Sequence, residues 1–350
     1  MSESIRVLVA DDSCFICRLL THYLESDGSI EVVKTVHNGK AAVEKVKEIQ
    51  PDVLTLDLDM PVQGGLEALG RIMAECPTPV VLISGMGKQA AQQTCQGLSL
   101  GAVDFLLKYS PGVTISPESF RRDIIAKVKT AAQVRVIRSI PSMQARAAWI
   151  ENSIPLKSSQ PRSEVFPTIS GVAIVGASTG GPLALKDLLS SLPNNFPFAL
   201  VIVQHMPEGF TTTLAAQFDR LFSFSVREAC QGEFLAPGTV LLAPGDCHLV
   251  ICPDGSVLLS RAEKINGARP SIDVTMQSAA QIFGKRVTGV ILSGMGSDGT
   301  QGLLTIKRNG GTTYAQSIET CVIQSMPETA IEKGIVHRVG TPAEIGSWLS

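Results

Sequence analysis

The sequence lacks three features that would place it in a specialised class: an excess of one charge, a long apolar run and an internal repeat. Its formal net charge is only −2 and no basic stripe is visible, which argues against a surface dedicated to nucleic acid. No apolar run approaches membrane-spanning length, and Met1 to Ser4 lead into a predicted strand without a secretory leader. We therefore expect a cytoplasmic protein without nucleic-acid binding or direct membrane insertion.

Cysteine is too thinly spread for a disulfide framework. The eight cysteines are scattered over 350 residues, and we expect small buried side chains that stay reduced. Cys14 and Cys17 form a C-x-x-C pair, a spacing that elsewhere binds metal or carries redox chemistry. Because no second pair completes a metal site, this interpretation is disfavoured.

The chain is long enough for two domains of ordinary size. A hydrophobic content of 44% with 18% charged residues is typical of globular protein. From 135 to about 168 the periodicity is lost, and serine and proline accumulate as in a linker. The predicted division is a first domain over 1–130, a linker over 131–168 and a second domain over 169–350.

Five strand-and-helix units fill the first domain. Each apolar strand is followed by a helical pattern, which predicts a parallel sheet covered on both faces. The predicted strands are Ile5 to Ala10, Glu31 to Val36, Asp52 to Leu56, Val80 to Ile83 and Val103 to Leu107. Ligand chemistry in such sheets gathers at the carboxyl ends of the strands, so the residues after each strand are the site candidates.

Polar residues follow four of these strands. Asp11 and Asp12 end the first strand, Asp57 follows the third, Ser84 the fourth and Lys108 the fifth. Three carboxylates suit Mg²⁺, while a hydroxyl and an ammonium group can contact an added phosphoryl group. A helix cap is the alternative for an acidic pair at one strand end, but the recurrence at three strand ends disfavours it.

These residues resemble the response-regulator receiver domain, a flavodoxin-like (βα)5 fold, over 1 to about 130. The matching stretches are DDS at 11 to 13, DLDMP at 57 to 61, Ser84, and Lys108 after GAVDFLL. The resemblance implies that Asp57 is the phosphoacceptor and that Asp11 and Asp12 bind Mg²⁺ with it. It also implies a histidine kinase as phosphodonor.

Two positions depart from the usual receiver pattern. Tyr109 stands where the family usually has proline after the lysine, and Gly64 stands where an aspartate is common. Neither change removes a charged group from the site, but the first can alter how Lys108 is aimed.

The second half is organised around one sharp turn, GVAIVGASTGGP at 171–182. A strand breaks into glycines and a helix opens at Pro182, so Ser178 lies at the apex of the turn. Such a corner exposes a hydroxyl beside free helix amides, which suits a nucleophile and its oxyanion. The same amides can instead cradle a phosphate or dinucleotide, although the lysine of a nucleotide-binding loop is missing. The turn alone leaves both interpretations open.

Two further residues follow buried strands of the same predicted sheet. His205 comes after Phe198 to Val203, and Asp298 comes after Val287 to Leu292. Taken singly, the histidine is typical of a structural residue and the aspartate of an N-cap for the next helix. Together with Ser178 they form the set that acyl transfer needs: a hydroxyl, a base for its proton and a carboxylate that orients the base.

The predicted fold of this half is a doubly wound, mostly parallel α/β domain with an antiparallel hairpin. The hairpin falls within 239–260 and is interpreted as an addition to the sheet. His248, Arg269 and Asp273 either line the cleft and help to hold a charged substrate surface, or serve loops and caps. The two interpretations have equal weight.

This half resembles the protein-glutamate methylesterase domain of the CheB family. The matching stretches are VGASTGGP at 175 to 182, QHMPEGFT at 204 to 211, APGDCHL at 243 to 249, RPSID at 269 to 273, SGMGSDG at 293 to 299 and QSMPETA at 324 to 330. The family's catalytic serine, histidine and aspartate fall on Ser178, His205 and Asp298. The resemblance implies hydrolysis of γ-glutamyl methyl esters on chemoreceptors, releasing methanol without a cofactor, and deamidation of receptor glutamines.

The whole sequence therefore predicts a phosphorylation-regulated methylesterase of bacterial chemotaxis. Methyl-accepting chemoreceptors are the expected substrates, a chemotaxis histidine kinase is the expected donor to Asp57, and the unphosphorylated receiver is expected to cover the cleft. Amides at the Ser178 turn and near Met295 are candidate oxyanion donors.

Two other classes of protein are alternatives to the methylesterase: a phosphate-binding module without catalysis and a transcriptional regulator. The latter is disfavoured because no basic recognition helix is present.

Overall fold

The computed structural model describes residues 4–108, 116–134 and 169–349 of the chain. Tyr109 and the predicted linker from residue 135 onward lie outside the described residues. Across the described ranges, none of the helices combines the length and the apolar character needed to cross a bilayer.

The first half folds as five alternating strands and helices. The strands are β1 Ile5–Ala10, β2 Ile30–Val36, β3 Val53–Asp57, β4 Val80–Ser84 and β5 Asp104–Leu107. The helices are α1 Cys14–Glu25, α2 Gly39–Ile49, α3 Gly65–Glu75, α4 Lys88–Ser99 and α5 Pro117–Ala132. Neighbouring strands pair in parallel in the order β2-β1-β3-β4-β5. This is the flavodoxin-like order, so the fold prediction for this half is confirmed.

Local sequence signals explain why these elements form where they do. The Ser13 hydroxyl accepts a hydrogen bond from Ile16 N at 3.4 Å, and the Asn38 side chain accepts one from Ala41 N at 2.8 Å. Both residues are therefore N-caps that satisfy free amides at the start of a helix. Strands β3 and β4 are buried at every position, since helices cover both faces of the sheet.

The second half is built on a seven-stranded parallel sheet. Its strands and those of a small hairpin are β6 Val172–Ala177, β7 Ala199–Gln204, β8 Ser225–Glu228, β9 Thr239–Leu242, β10 His248–Ile251, β11 Val257–Ser260, β12 Val287–Ile291, β13 Thr312–Gln316 and β14 Arg338–Gly340. The helices are α6 Gly181–Ser190, α7 Phe210–Leu221, α8 Ile272–Phe283, α9 Thr300–Arg308, α10 Ser325–Glu332 and α11 Pro342–Trp348. The sheet order is β14-β13-β12-β6-β7-β9-β8. This confirms the doubly wound, mostly parallel prediction.

The predicted hairpin forms, but the expectation that it extends the sheet is wrong. Strands β10 and β11 pair antiparallel in a two-stranded sheet of their own, whereas β9 lies between β7 and β8 in the parallel sheet. Helix α8 covers the hairpin and bonds to its backbone: Thr275 Oγ1 donates to Leu249 O at 2.7 Å, and Ser278 Oγ accepts from Ile251 N at 3.0 Å. These side chains satisfy polar groups that a sheet neighbour would otherwise pair.

The two halves pack against each other through α4 and β5 on one side and α7 on the other. The rings of Phe105 and Phe210 stack with centroids 5.0 Å apart, and both side chains are buried. Gln217 Nε2 donates to Ser99 Oγ at 3.0 Å beside them. The first half therefore covers part of the second through a stacked aromatic pair with a hydrogen bond beside it.

Candidate functional site

Three side chains converge where the strand order of the large sheet reverses. Ser178 follows β6, His205 follows β7 and Asp298 lies in the loop after β12, and these three strands are neighbours. All three residues line one cleft of about 2420 Å³ between the two halves of the chain. The carboxyl ends of strands at such a reversal are where open α/β sheets bind ligands.

The Ser178 turn is tight because glycines surround it. Gly180 has φ +76°, in the left-handed region that side chains disfavour. Gly294 approaches so closely that a Cβ there would lie 2.8 Å from the Ser178 Cβ. Ser178 N donates to Ser293 O at 3.0 Å, and Gly181 N donates to Ser178 O at 2.8 Å. The Ser178 hydroxyl has no hydrogen bond within the described part of the chain, so it is available to a substrate.

His205 is oriented by a carboxylate. Its Nε2 lies 2.8 Å from Asp298 Oδ2, and a carboxylate acceptor requires that Nε2 carry the proton. Nδ1 is then the ring nitrogen left for proton exchange. The backbone N–H of His205 donates to Ala177 O at 3.0 Å, which ties the histidine to the end of β6 beside Ser178.

Asp298 is held by donors from three parts of the chain. They are Ser271 Oγ (2.9 Å), Ile272 N (2.7 Å), Asp273 N (3.0 Å), Gly299 N (3.0 Å) and His205 Nε2 (2.8 Å). The carboxylate therefore caps the amino end of α8. The alternative that Asp298 is the N-cap of the next helix is wrong, because Gly299 occupies that position in α9 and there is no side-chain cap.

These donors decide the charge of Asp298. Burial acts to raise its pKa, but the hydrogen bond and charge of His205 and the amides of Ile272 and Asp273 outweigh that effect. The pKa of Asp298 consequently lies below its usual value of 3.8. An ionised carboxylate at this position fixes both the tautomer and the orientation of the imidazole.

His248, Arg269 and Asp273, which could either line the cleft or serve loops and caps, take different positions in the structure. Arg269 lines the cleft together with Asp246, and the two form an ion pair at 2.7 Å. His248 and Asp273 are buried behind the cleft wall, at 2% and 5% exposure. Asp273 Oδ1 accepts from Gly302 N at 2.7 Å. The cleft interpretation therefore fits Arg269, whereas His248 and Asp273 serve loops and helix ends.

An acidic pocket lies at the carboxyl ends of β1 and β3. Carboxylate oxygens of Asp11, Asp12 and Asp57 lie within 4.8 Å of one another. Lys108 Nζ lies 2.7 Å from Asp57 Oδ2 and 3.1 Å from Asp11 Oδ2. Asp11 Oδ2 is buried and, apart from this ion pair with Lys108, has no hydrogen bond from the described residues. Such an oxygen lacks a partner that a hard divalent cation supplies, so the donor set fits Mg²⁺.

Burial and neighbouring charges shift two pKa values in this pocket. Burial and, second, the charge of Asp57 raise the pKa of Asp11. Burial acts to lower the pKa of Lys108, but its hydrogen bond to Asp57 and the charges of Asp57 and Asp11 raise it overall. Ser84 completes the pocket at the end of β4, where its hydroxyl accepts a hydrogen bond from Thr94 Oγ1 of α4 at 2.7 Å.

Sequence reasoning missed residues that contact the Ser178 turn. Asp104 Oδ2 accepts from Thr179 Oγ1 at 2.6 Å and pairs with Lys127 Nζ at 2.7 Å, so the first half bonds to the residue beside Ser178. Gln204 Nε2 donates to Ser178 O at 2.9 Å. The one sequence signal for Asp104 is its position as an acidic residue inside the apolar run GAVDFLL. The run gives no indication that Thr179 is its hydrogen-bond partner.

The fold and the two sites together define the class of protein: a five-stranded domain with an acidic pocket is joined to an α/β domain with a Ser-His-Asp cluster. Comparison with family models agrees with both parts. A model described as CheB methylesterase matches residues 173–349, and the response regulator receiver domain matches residues 7–115. The chain belongs to the CheB methylesterase family and carries a receiver domain ahead of its methylesterase domain.

Individual relatives resemble the chain over nearly its full length. The protein-glutamate methylesterase/protein-glutamine glutaminase of Symbiobacterium thermophilum is 39% identical, over 97% of this chain and 94% of the relative. That of Methanococcus maripaludis is 38% identical, over 98% and 96%. Among solved structures, the Thermotoga maritima CheB methylesterase catalytic domain is 43% identical with a TM-score of 0.50, over 51% of this chain and 96% of that chain.

The first prediction concerns the buried carboxyl of Asp273. Burial, with a smaller contribution from the charge of Asp298, raises its pKa to about 6. A carboxyl whose folded-state pKa exceeds the unfolded value stabilises the fold at low pH, and this contribution is lost as the pH rises through about 6. The side chain in Asp273→Asn cannot ionise, so the variant does not lose stability in this way as the pH rises. We expect its Tm relative to wild type to increase between about pH 4 and pH 6, from the usual value of 3.8 to the folded-state pKa of about 6, and to stay level above that.

Thermal unfolding followed by circular dichroism across this pH range measures the difference. Glu332→Gln, which changes an exposed carboxyl in the same half, is the matched control. Parallel Tm curves for Asp273→Asn and wild type would contradict the assignment of a buried, hard-to-ionise carboxyl.

Proposed function

We propose that this chain is a phosphorylation-regulated protein-glutamate methylesterase of bacterial chemotaxis that also deamidates receptor glutamines. Its substrates are γ-glutamyl methyl esters on methyl-accepting chemoreceptors, its phosphodonor is a chemotaxis histidine kinase, and it acts in the cytoplasm. The observation that carries the proposal is the 2.8 Å bond from His205 to Asp298, in the same cleft as the Ser178 hydroxyl, which has no hydrogen bond to any described residue. The names of the relatives support the same reaction and substrate class.

In the proposed mechanism, His205 Nδ1 takes the proton of Ser178 as Oγ attacks the ester carbonyl carbon. Asp298 keeps the imidazole in the required tautomer and stabilises its positive charge. The tetrahedral intermediate collapses, the C–O bond to methoxide breaks, and His205 returns the proton so that methanol leaves. Water, activated by His205, then cleaves the acyl-enzyme and regenerates Ser178 with a glutamate side chain as product.

We propose the amides of Thr179 and Met295 as oxyanion donors. Both residues line the cleft, and neither amide has an acceptor within the described part of the chain. The neighbouring amides of Ser178 and Gly294 are already bonded, to Ser293 O and Ile323 O. Donors that are free before the substrate arrives can stabilise charge that develops in the transition state.

Phosphorylation at Asp57 is the proposed switch. The receiver part extends to about residue 130 and the catalytic part begins near 169, with 131–168 as linker. Asp11, Asp12 and Asp57 would hold Mg²⁺, whose charge offsets that of the phosphoryl group, and Ser84 and Lys108 would contact its oxygens. Ester hydrolysis needs no cofactor in this scheme.

Contacts across the cleft support inhibition by the unphosphorylated receiver. Asp104 bonds to the Thr179 hydroxyl, and Thr130 Oγ1 lies 3.6 Å from Met295 Sδ, so receiver residues contact the side chains of both residues whose amides are the proposed oxyanion donors. A chemoreceptor helix cannot occupy space that these contacts fill. Phosphorylation that weakens them would shift the population towards an open arrangement.

The second prediction tests the nucleophile. Ser178→Ala removes the attacking oxygen, so we expect methanol release from methylated chemoreceptor membranes to fall by about 10³-fold or more. The control is Ser190→Ala, at the end of the helix that follows the Ser178 turn, and it should leave the rate of methanol release near the wild-type value. If folded Ser178→Ala retains near-normal release, the turn is an anion cradle and not a nucleophile.

The third prediction tests the switch. Acetyl phosphate with Mg²⁺ should increase methanol release by the wild-type protein, and Asp57→Asn should abolish the increase while keeping basal release. Asp59→Asn, which changes an exposed acid two positions away, should respond like wild type. An undiminished response of Asp57→Asn would rule out this aspartate as the phosphoacceptor.

A further inference from the structure

His248 is a buried histidine that the proposed mechanism does not use. It begins β10 and is 2% exposed, so neither substrate nor solvent reaches its ring. Both ring nitrogens are nevertheless bonded: Nδ1 accepts from Ser271 N at 3.1 Å, and Nε2 lies 3.0 Å from Glu263 O. An amide donor at one nitrogen and a carbonyl acceptor at the other require the neutral ring with its proton on Nε2.

The bond to Ser271 links this ring to the catalytic aspartate. Ser271 is the N-cap residue of α8 and is fully buried. Its hydroxyl donates to Asp298 Oδ1 at 2.9 Å, while the next two amides, of Ile272 and Asp273, donate to the same carboxylate. A continuous series of hydrogen bonds therefore runs from His248 through Ser271 and Asp298 to His205.

We infer that His248 is a positioning residue for the esterase reaction, acting through the Ser271 amide to fix the Asp298 carboxylate that orients His205. A buried amide without an acceptor costs free energy, so without His248 the Ser271 N–H would turn towards another acceptor, and the Asp298 carboxylate already accepts from the hydroxyl of the same residue. That movement would displace the donors that now set the carboxylate plane. This inference rests on the hydrolase function proposed above and adds a residue to its machinery.

The second bond of His248 has a different consequence. Glu263 O belongs to the exposed segment 261–268, whose residues Lys264 and Asn266 to Ala268 line the cleft rim. The Nε2 bond therefore holds the rim, and the Nδ1 bond holds the catalytic aspartate. Substitutions that keep one bond and lose the other separate the two roles.

The fourth prediction uses two amide variants of similar size. The Asn oxygen can take the place of Nδ1 and accept from Ser271 N, whereas the longer Gln amide reaches the Nε2 position and can donate only to Glu263 O. We expect His248→Asn to keep kcat for methanol release within about threefold of wild type, and His248→Gln to lose about tenfold or more in kcat at unchanged KM. Tm values of both variants report any general loss of packing.

Equal losses of kcat in the two variants, or full kcat in His248→Gln, would overturn the inference. A wild-type protein that releases no methanol while Ser178→Ala behaves identically would instead contradict the proposed function itself. A measurement on the wild-type protein remains decisive if a variant does not fold: the ¹⁵N chemical shifts of His248 should show a neutral ring protonated on Nε2 at neutral pH. A doubly protonated ring would overturn the assignment.

Discussion

The buried carboxylate of Asp298 is the interaction on which the catalytic half depends. Removing an ionised carboxylate from water costs several kcal/mol, and a hydrogen bond to a charged group returns about 1.5–3 kcal/mol. Burial alone would therefore neutralise this acid, but Ser271, three backbone amides and His205 all donate to it, and its pKa falls below the usual value. The same bonds that stabilise the charge join the ends of β7 and β12 to the amino end of α8, so one carboxylate both holds these elements together and orients the His205 ring.

Both halves follow one rule of parallel sheets. Each half presents its polar residues at the carboxyl ends of its strands, the receiver at Asp57 and the catalytic half at Ser178. Strand β5 and helix α4 contribute contacts at both places: Ser84 of the acidic pocket bonds to Thr94 of α4, while Asp104 at the start of β5 bonds to Thr179 beside Ser178. The first half therefore contributes residues both to the acidic pocket and to the contact with the Ser178 turn.

The sequence predicts features that depend on neighbouring residues, but not those that depend on contacts between residues far apart in the chain. Apolar runs and turn glycines are enough to predict the strand series and place Ser178 at its turn. The hairpin is predicted, but its separation from the large sheet is not, because Thr275 and Ser278 of α8 satisfy its backbone. The role of Asp298 as a cap of α8 is also missed, because Ile272 lies 26 residues away. The short edge strands β8 and β14 carry no apolar run that would reveal them.

We propose that Ser178 is a nucleophile activated by a histidine that Asp298 orients. This can be measured by labelling the protein with a fluorophosphonate, which reacts covalently with activated serines, and locating the label by peptide mass spectrometry. We expect a single phosphonyl adduct on Ser178, formed faster when acetyl phosphate and Mg²⁺ are present and much more slowly in Asp298→Ala. An adduct on another serine, or methanol release by a protein that never reacts at Ser178, would contradict it.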